Sequence, residues 1–472
     1  MIQGISTYII LFIIYLTGMA CIGYYSGKKI ATTYDEYLVA GRRMPFFVLV
    51  MTYTATGMGA GFTVGTVQKA YNVGIQAALY PTAEAFGSLV LAFLVAKYLN
   101  KLGRDMNLYT VAQYLENVYD VRMRVIAAVI TALCSSIIVG SQIIGGASVV
   151  SAITGISMSW TIWIAGGIVL YYTVNGGLWA VALTDVIQGG LVWIGVAFAL
   201  IPALKLAGGW DNVKTTLEPS LLSLTSGGAM KFFIVAALAS MFNAVTDQCE
   251  IQRIFAARNE DTSKSALLAR VVIQTPIGWI SAILALCAII IFGNQKFDNP
   301  ALVLPTLLKT VYSPIIGGIF LVGIMGAVMS TADTLLSAGS SVLIEDIYHR
   351  IVNRNASQND LLRVAKKITF FLGVFSIVLC YYLPGIVDSI ILAFSIKGAT
   401  LAFPIIASIF FKRFITKNGA FWGTLLTAIF VIGWHLIGTP YNLDPVLVGI
   451  PFNIISCWII SALTRNKDLR VS

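Results

Sequence analysis

Seven ionisable side chains sit inside otherwise apolar stretches of this sequence: Glu84, Asp185, Asp247, Glu250, Asp333, Asp388 and Lys397. A charge in such a setting costs about 2.5–3.5 kcal/mol on insertion scales, so each needs a partner, a watered cavity or a function. Six carboxylates against one lysine suggest a cation pathway. Hydroxyls gather in the same region of the chain, where Ser330 and Thr334 share a helical face at i and i+4 and Thr331 lies beside them. Hard cations take oxygen ligands, and this cluster supplies them. Taken singly, the same hydroxyls would bond their own i−4 carbonyls or join neighbouring helices.

Two stretches interrupt apolar runs. The first reads Thr52, Tyr53, Thr54, Ala55, Thr56, Gly57, Met58, Gly59, Ala60, Gly61. Each glycine weakens a helix by about 1 kcal/mol against Ala. A break there frees backbone carbonyls at mid-membrane depth, tolerable only beside a cavity; close packing of helices by small residues is the other reading. The second interruption, Ser240, Asn243, Thr246, Asp247 and Gln248, comes five spans later. Matching interruptions at that interval are the pattern of an inverted-repeat transporter with two broken helices facing one site.

The elements that must position these groups are membrane spans. Of 472 residues, 58% are apolar and 11% charged, and the mean hydropathy is +0.84. A soluble protein could not hide that much apolar surface. Thirteen apolar runs lie between residues 5 and 464, each near the roughly 20 residues that cross a hydrocarbon core about 30 Å thick. No stretch is left for a nucleotide-binding, kinase or receptor domain. The first run lacks a small-residue cleavage site and reads as a retained helix.

With the N-terminus outside and the C-terminus cytoplasmic, most of the 31 Lys and Arg residues fall in inner loops, Arg253, Arg258, Lys264 and Arg270 among them. The net charge of +10 is therefore a mark of topology, and nucleic acid is not an expected partner. The six Cys residues show no CxxC spacing and His349 and His435 are too few for a metal cluster. An enzyme is disfavoured, because Ser330 has no His base in reach and no phosphate-cradling loop is present.

Five stretches in order resemble the sodium/solute symporter family, whose members carry sugars, amino acids, monocarboxylates, vitamins and sialic acid. They are Gly41-Arg42-Arg43 leading into the glycine-rich span; Gly176-Gly177-Leu178-Trp179-Ala180-Val181 through Thr184-Asp185 to Gln188; Thr246-Asp247-Gln248 through Gln252-Arg253 to Asn259; Met329-Ser330-Thr331-Ala332-Asp333 through Ser340-Ser341 to Tyr348; and Lys412-Arg413 with Gly419-Ala420-Phe421-Trp422-Gly423. The resemblance implies an all-α polytopic membrane protein with a LeuT-like five-plus-five inverted repeat. Its parts here would be an extra N-terminal helix at 5–26, a first repeat at 45–206, an inverted second repeat at 231–411 and C-terminal helices at 419–464. It implies sodium-coupled symport of a small organic solute by alternating access, in a multi-pass plasma (inner) membrane protein whose partners are Na+, solute and lipid, with no obligate protein partner.

Carried onto this sequence, the main sodium site would use carbonyls of Ala55, Met58 and Ala327 and the hydroxyls of Ser330 and Thr331. A second site would use Asp185 and Thr334. Solute candidates are Thr56, Gly59, Glu84, Gln142, Ser240, Asn243 and Lys397. Glu84 lies roughly where the sugar-carrying branch keeps a sugar-binding glutamate, while no arginine in the fourth span matches a sialic-acid carrier. Lys397 departs from the family pattern. It pairs with a carboxylate such as Asp247 or Glu84, binds an anionic or zwitterionic solute, snorkels along its stem, or partly replaces a cation. Asp247, Gln248, Gln252 and Arg253 are expected in gating and helix-end contacts toward the cytoplasm. The alternatives on the same fold are a sodium-independent or proton-coupled carrier, a channel or a sensor.

Overall fold

A run that is apolar on every side makes a helix that must be buried in other helices or in lipid. Val121–Thr154 (α6) is such a helix: Asp120 caps its start by accepting from the backbone N–H groups of Arg122 and Met123, and left-handed Gly155 ends it. A computed structural model describes residues 7–15, 17, 18, 21, 39–173, 178–293, 297–411 and 415–468, which are 86% helical and without strands. The other principal helices are Phe46–Gly57 (α1), Thr66–Val73 (α2), Leu79–Val90 (α3), Ala96–Asp105 (α4), Val111–Val118 (α5), Met158–Thr173 (α7), Leu178–Leu206 (α8), Ala229–Ala244 (α9), Gln248–Ala256 (α10), Glu260–Phe292 (α11), Val303–Val311 (α12), Pro314–Val342 (α13), Gln358–Leu379 (α14), Ile386–Phe410 (α15), Lys417–Leu436 (α16) and Pro445–Asp468 (α17).

Among the described residues, eight helices are long and apolar enough to cross a bilayer, or nine with the bent pair α9 and α10 counted as one. Thirteen were expected. Of the other four, α1 is only half of a broken helix, α7 is short, α14 spends its first turns on Arg363, Lys366 and Lys367, and the run at 5–26 lies only partly within the described residues. Gly176, Gly177, Lys412 and Arg413 of the resembling stretches also lie outside them.

The first break is at the glycine-rich stretch. Helix α1 ends at Gly57, Met58 leaves helical geometry (φ −83°, ψ 20°), and the chain resumes as a wide helical turn at Gly61–Gly65 before α2. Groups freed by the break find side chains. The Ala60 N–H donates to Gln142 Oε1 at 2.7 Å, and the Thr63 hydroxyl donates to the Gly59 carbonyl at 3.0 Å. A non-glycine residue at 59 would drive its Cβ into the Thr331 hydroxyl and Gln142.

The second break bends α9 against α10 by 46°. Asp247 caps α10, its Oδ1 accepting from the N–H groups of Cys249 (2.9 Å) and Glu250 (3.2 Å). Around the breaks, α8 packs on α1 and α13, α13 packs on α6, and α15 packs on α9 and α6. At one end the broken elements are tied together: Met44 N–H donates to Ala256 O and Arg258 N–H to Met44 O, while Arg104 bonds Arg42 O and Ala257 O. At the other end Lys69, on α2, pairs with Asp388, on α15, at 2.6 Å.

Candidate functional site

Two broken helices that face each other expose backbone and polar side chains where no lipid reaches, and here they enclose a cavity. About 80 Å³ of it is open to water centres, enough for several waters or one small solute, since a single water needs roughly 10–15 Å³ on that measure. Thr56, Gly59, Glu84, Gln142, Ser240 and Asn243, the solute candidates from sequence, all line it. Lys397 does not. It lies behind the wall, 1% exposed, with its Nζ donating to Asp247 Oδ2 at 2.6 Å. Among the four readings of this lysine, the geometry is that of the carboxylate pair.

The hydroxyl cluster lies against the first break. Thr331 Oγ1 sits between Thr56 O (2.7 Å) and Ala327 O (3.0 Å), which fixes α13 to the last turn of α1. Ser330 Oγ donates to Asp185 Oδ1, and Thr52 Oγ1 donates to Asp185 Oδ2 at 2.5 Å. Ala55, Ala327, Ser330 and Asp185 are fully buried. The hydrogens of both hydroxyls are thus committed to acceptors, so their lone pairs are what remains for a cation.

Arg253 was expected to open a basic cytoplasmic loop, and the structure corrects this. Its side chain is 1% exposed and turns inward between α1, α10 and α13. Nη2 donates to Thr56 Oγ1 at 2.5 Å and Thr334 Oγ1 at 3.3 Å, Nε to Thr52 Oγ1 at 3.2 Å, and Nη1 to Cys249 O at 3.2 Å. Asp185 Oδ2 is 3.8 Å from Nη2. The guanidinium therefore bridges Asp185 and Thr334, the two residues assigned to a second sodium site. Arg270, also expected in an inner loop, lines the cavity from α11 and pairs with Glu250 at 2.6 Å. Sequence reasoning gave Glu250 and Arg270 no joint role; their 20-residue separation spans a helix end and a loop, so no local spacing signalled the pair.

A helical membrane protein with two opposed helix breaks around one solute-sized cavity belongs to the class of secondary transporters. The pattern of the Sodium:solute symporter family matches residues 37–427, and the chain belongs to that family. Its members are transporters, not enzymes, and sodium is the coupling ion. The chain is 26% identical to the sodium/proline symporter of Escherichia coli (strain K12), over 98% of this chain and 94% of that one. It is 25% identical to the high-affinity proline transporter PutP of Bacillus subtilis (strain 168), over 96% and 98%. Its fold is similar to that of a Na+-coupled sialic acid symporter in a substrate-bound outward-open state (TM-score 0.78, 21% identity, 97% and 98% covered). It is also similar to that of the nucleobase-cation-symport-1 family transporter MHP1 (TM-score 0.62, 13% identity, 92% and 95% covered).

Proposed function

We propose that this chain couples inward movement of Na+ to uptake of a small zwitterionic amino acid, with proline as the first candidate. Proline is what the similar symporters of Escherichia coli and Bacillus subtilis are named for. The observation that carries the reading is the meeting of α13 with the last turn of α1 at Thr331, directly beside the solute cavity. An ion held by carbonyls of Ala55, Met58 and Ala327 and by the hydroxyls of Ser330 and Thr331 would join the broken helix to α13. It would stabilise whichever conformation brings those five groups together, and so shift the population toward the solute-accepting form. We assign coupling to this set, because Arg253 already bridges Asp185 and Thr334.

In this reading thirteen spans cross the membrane, the N-terminus is outside and the C-terminus cytoplasmic. Residues 45–206 and 231–411 form the two inverted repeats, which puts one break in the opening helix of each. Helices at 5–26 and 419–464 flank them. The cavity suits a molecule of proline's size, with Leu91, Ile138, Leu335 and Phe394 available to its ring and charged groups close by.

The test is uptake of labelled L-proline by proteoliposomes. We expect accumulation above equilibrium with an inward sodium gradient, abolished when that gradient is collapsed, and lost in Ser330→Ala with Thr331→Ala. Accumulation driven equally well by a proton gradient without sodium would overturn the coupling. Flux that never exceeds equilibrium would overturn symport in favour of a channel.

A further inference from the structure

The cavity wall carries more acidic groups than there are cations beside it. Three carboxylates line it, Glu84, Glu250 and Asp247, and two cations answer them. Lys397 is committed to Asp247 and Arg270 to Glu250, both at 2.6 Å. Glu84 is left with the Tyr80 hydroxyl at 3.1 Å and with the same Arg270 at 3.8 Å. One guanidinium shared between two carboxyl groups leaves Glu84 without a cation of its own.

The hydrogen-bond inventory points the same way. Two buried atoms of cavity-lining side chains have no partner, Glu250 Oε2 and Asn243 Oδ1, and both are acceptors. The orientation of the Asn243 amide is fixed by its neighbour, because its Nδ2 donates to Asp247 Oδ2 at 3.4 Å and a flipped amide would set its oxygen against a carboxylate. A buried acceptor without a donor costs about as much as a lost hydrogen bond, so a small shift of either side chain toward a guest's N–H group would be favourable.

We infer that Glu84, with Glu250 and Asn243, forms a subsite for a protonated amine bearing at least one N–H. This inference rests on the cavity being the solute site, and it deepens that reading. It makes the solute a primary or secondary amino compound and sets aside sugars and simple monocarboxylates. It also gives Lys397 its work. By pairing with Asp247 from behind, the lysine leaves Glu84 as the acidic group without a cation of its own, so the amine is received on that side of the cavity.

The test is binding to the purified full-length protein, followed by calorimetry with and without Na+. The probes are L-proline, L-alanine and L-serine, each against its isostere lacking the amine: tetrahydrofuran-2-carboxylate, L-lactate and L-glycerate. N,N-dimethylproline, which keeps the charge but loses both N–H groups, and glucose complete the set. We expect the N–H-bearing amino acids to bind, with the isosteres, the dimethyl compound and glucose at least tenfold weaker. Glu84→Gln should weaken the amine at least tenfold and leave the sodium half-saturation within twofold; Glu250→Gln serves as the second variant.

A hydroxy acid or glucose binding as tightly as any amine would overturn the inference, as would unchanged amine affinity in Glu84→Gln. Amine-selective binding indifferent to sodium would instead sink the coupling and leave the amine subsite standing.

Discussion

At the scale of single residues, the contrast between Lys397 and Arg253 shows what sequence does and does not reveal. Lys397 stood out because a lone ammonium in an apolar run demands an anion, and Asp247 was among the partners that logic named. Arg253 stood in a basic stretch after the second break, where the positive-inside rule explains any arginine without further structure. Only the 46° bend and the short helix after it carry the guanidinium back among Thr52, Thr56 and Thr334, and a bend angle is not written in local spacing. The Lys397–Asp247 pair permits a sharp prediction. Replacing Lys397 with Met leaves a buried carboxylate unpaired and should destabilise the protein by about 3–5 kcal/mol, whereas also replacing Asp247 with Asn should restore much of that loss. Asn keeps the cap on α10, since it is as good an N-cap as Asp. Unfolding temperatures of the wild type, the two single variants and the double variant in detergent check this; additive losses would show that the pair is not coupled.

At the scale of elements, both breaks were legible because each uses residues that a continuous membrane helix avoids. Glycines at alternate positions mark the first, and a polar run ending in the cap residue Asp247 marks the second. Less legible was the segment at 73–96, an apolar run long enough for one span, in which a tight turn at Gly74–Ala78 and a wide turn at Leu91–Val95 interrupt the helix. The wide turn uses ordinary apolar residues, and tertiary packing, not propensity, decides it, whereas the tight turn opens on Gly74 at φ 78°. The role of Gly59 gives an element-level prediction with an unusual sign. In a continuous helix, Gly→Ala stabilises by about 1 kcal/mol. At the break the added methyl enters the space of the Thr331 hydroxyl and Gln142, so Gly59→Ala should push α1 away from α13. Calorimetry of sodium binding should show affinity at least tenfold weaker, with helical content by circular dichroism unchanged. A Gly59→Ala protein that binds sodium normally would detach the break from the ion site.

At the scale of the whole molecule, the ties at the two ends of the broken helices cannot both persist through a cycle that opens the cavity to each side in turn. One end is held by Lys69 and Asp388, a partly exposed pair with Asp388 half in solvent, worth at most about 1 kcal/mol. The other end is held by backbone bonds between Met44, Ala256 and Arg258, reinforced by Arg104 on Arg42 O and Ala257 O. The chain supplies its own reporter of access, because Cys249 lines the cavity. In protein retaining only that cysteine, Asp388→Ala should shift the population toward the form open at the Lys69 end. A shift of about 1 kcal/mol corresponds to roughly a fivefold change in population, read as faster labelling of Cys249 by an impermeant maleimide applied from that face. Arg104→Ala should raise labelling from the opposite face instead. Sodium should oppose one of these two changes and reinforce the other, because an ion can move the equilibrium only by its difference in affinity for the two forms. Labelling that rises equally from both faces in either variant would mean that the ties stabilise the fold without selecting a side.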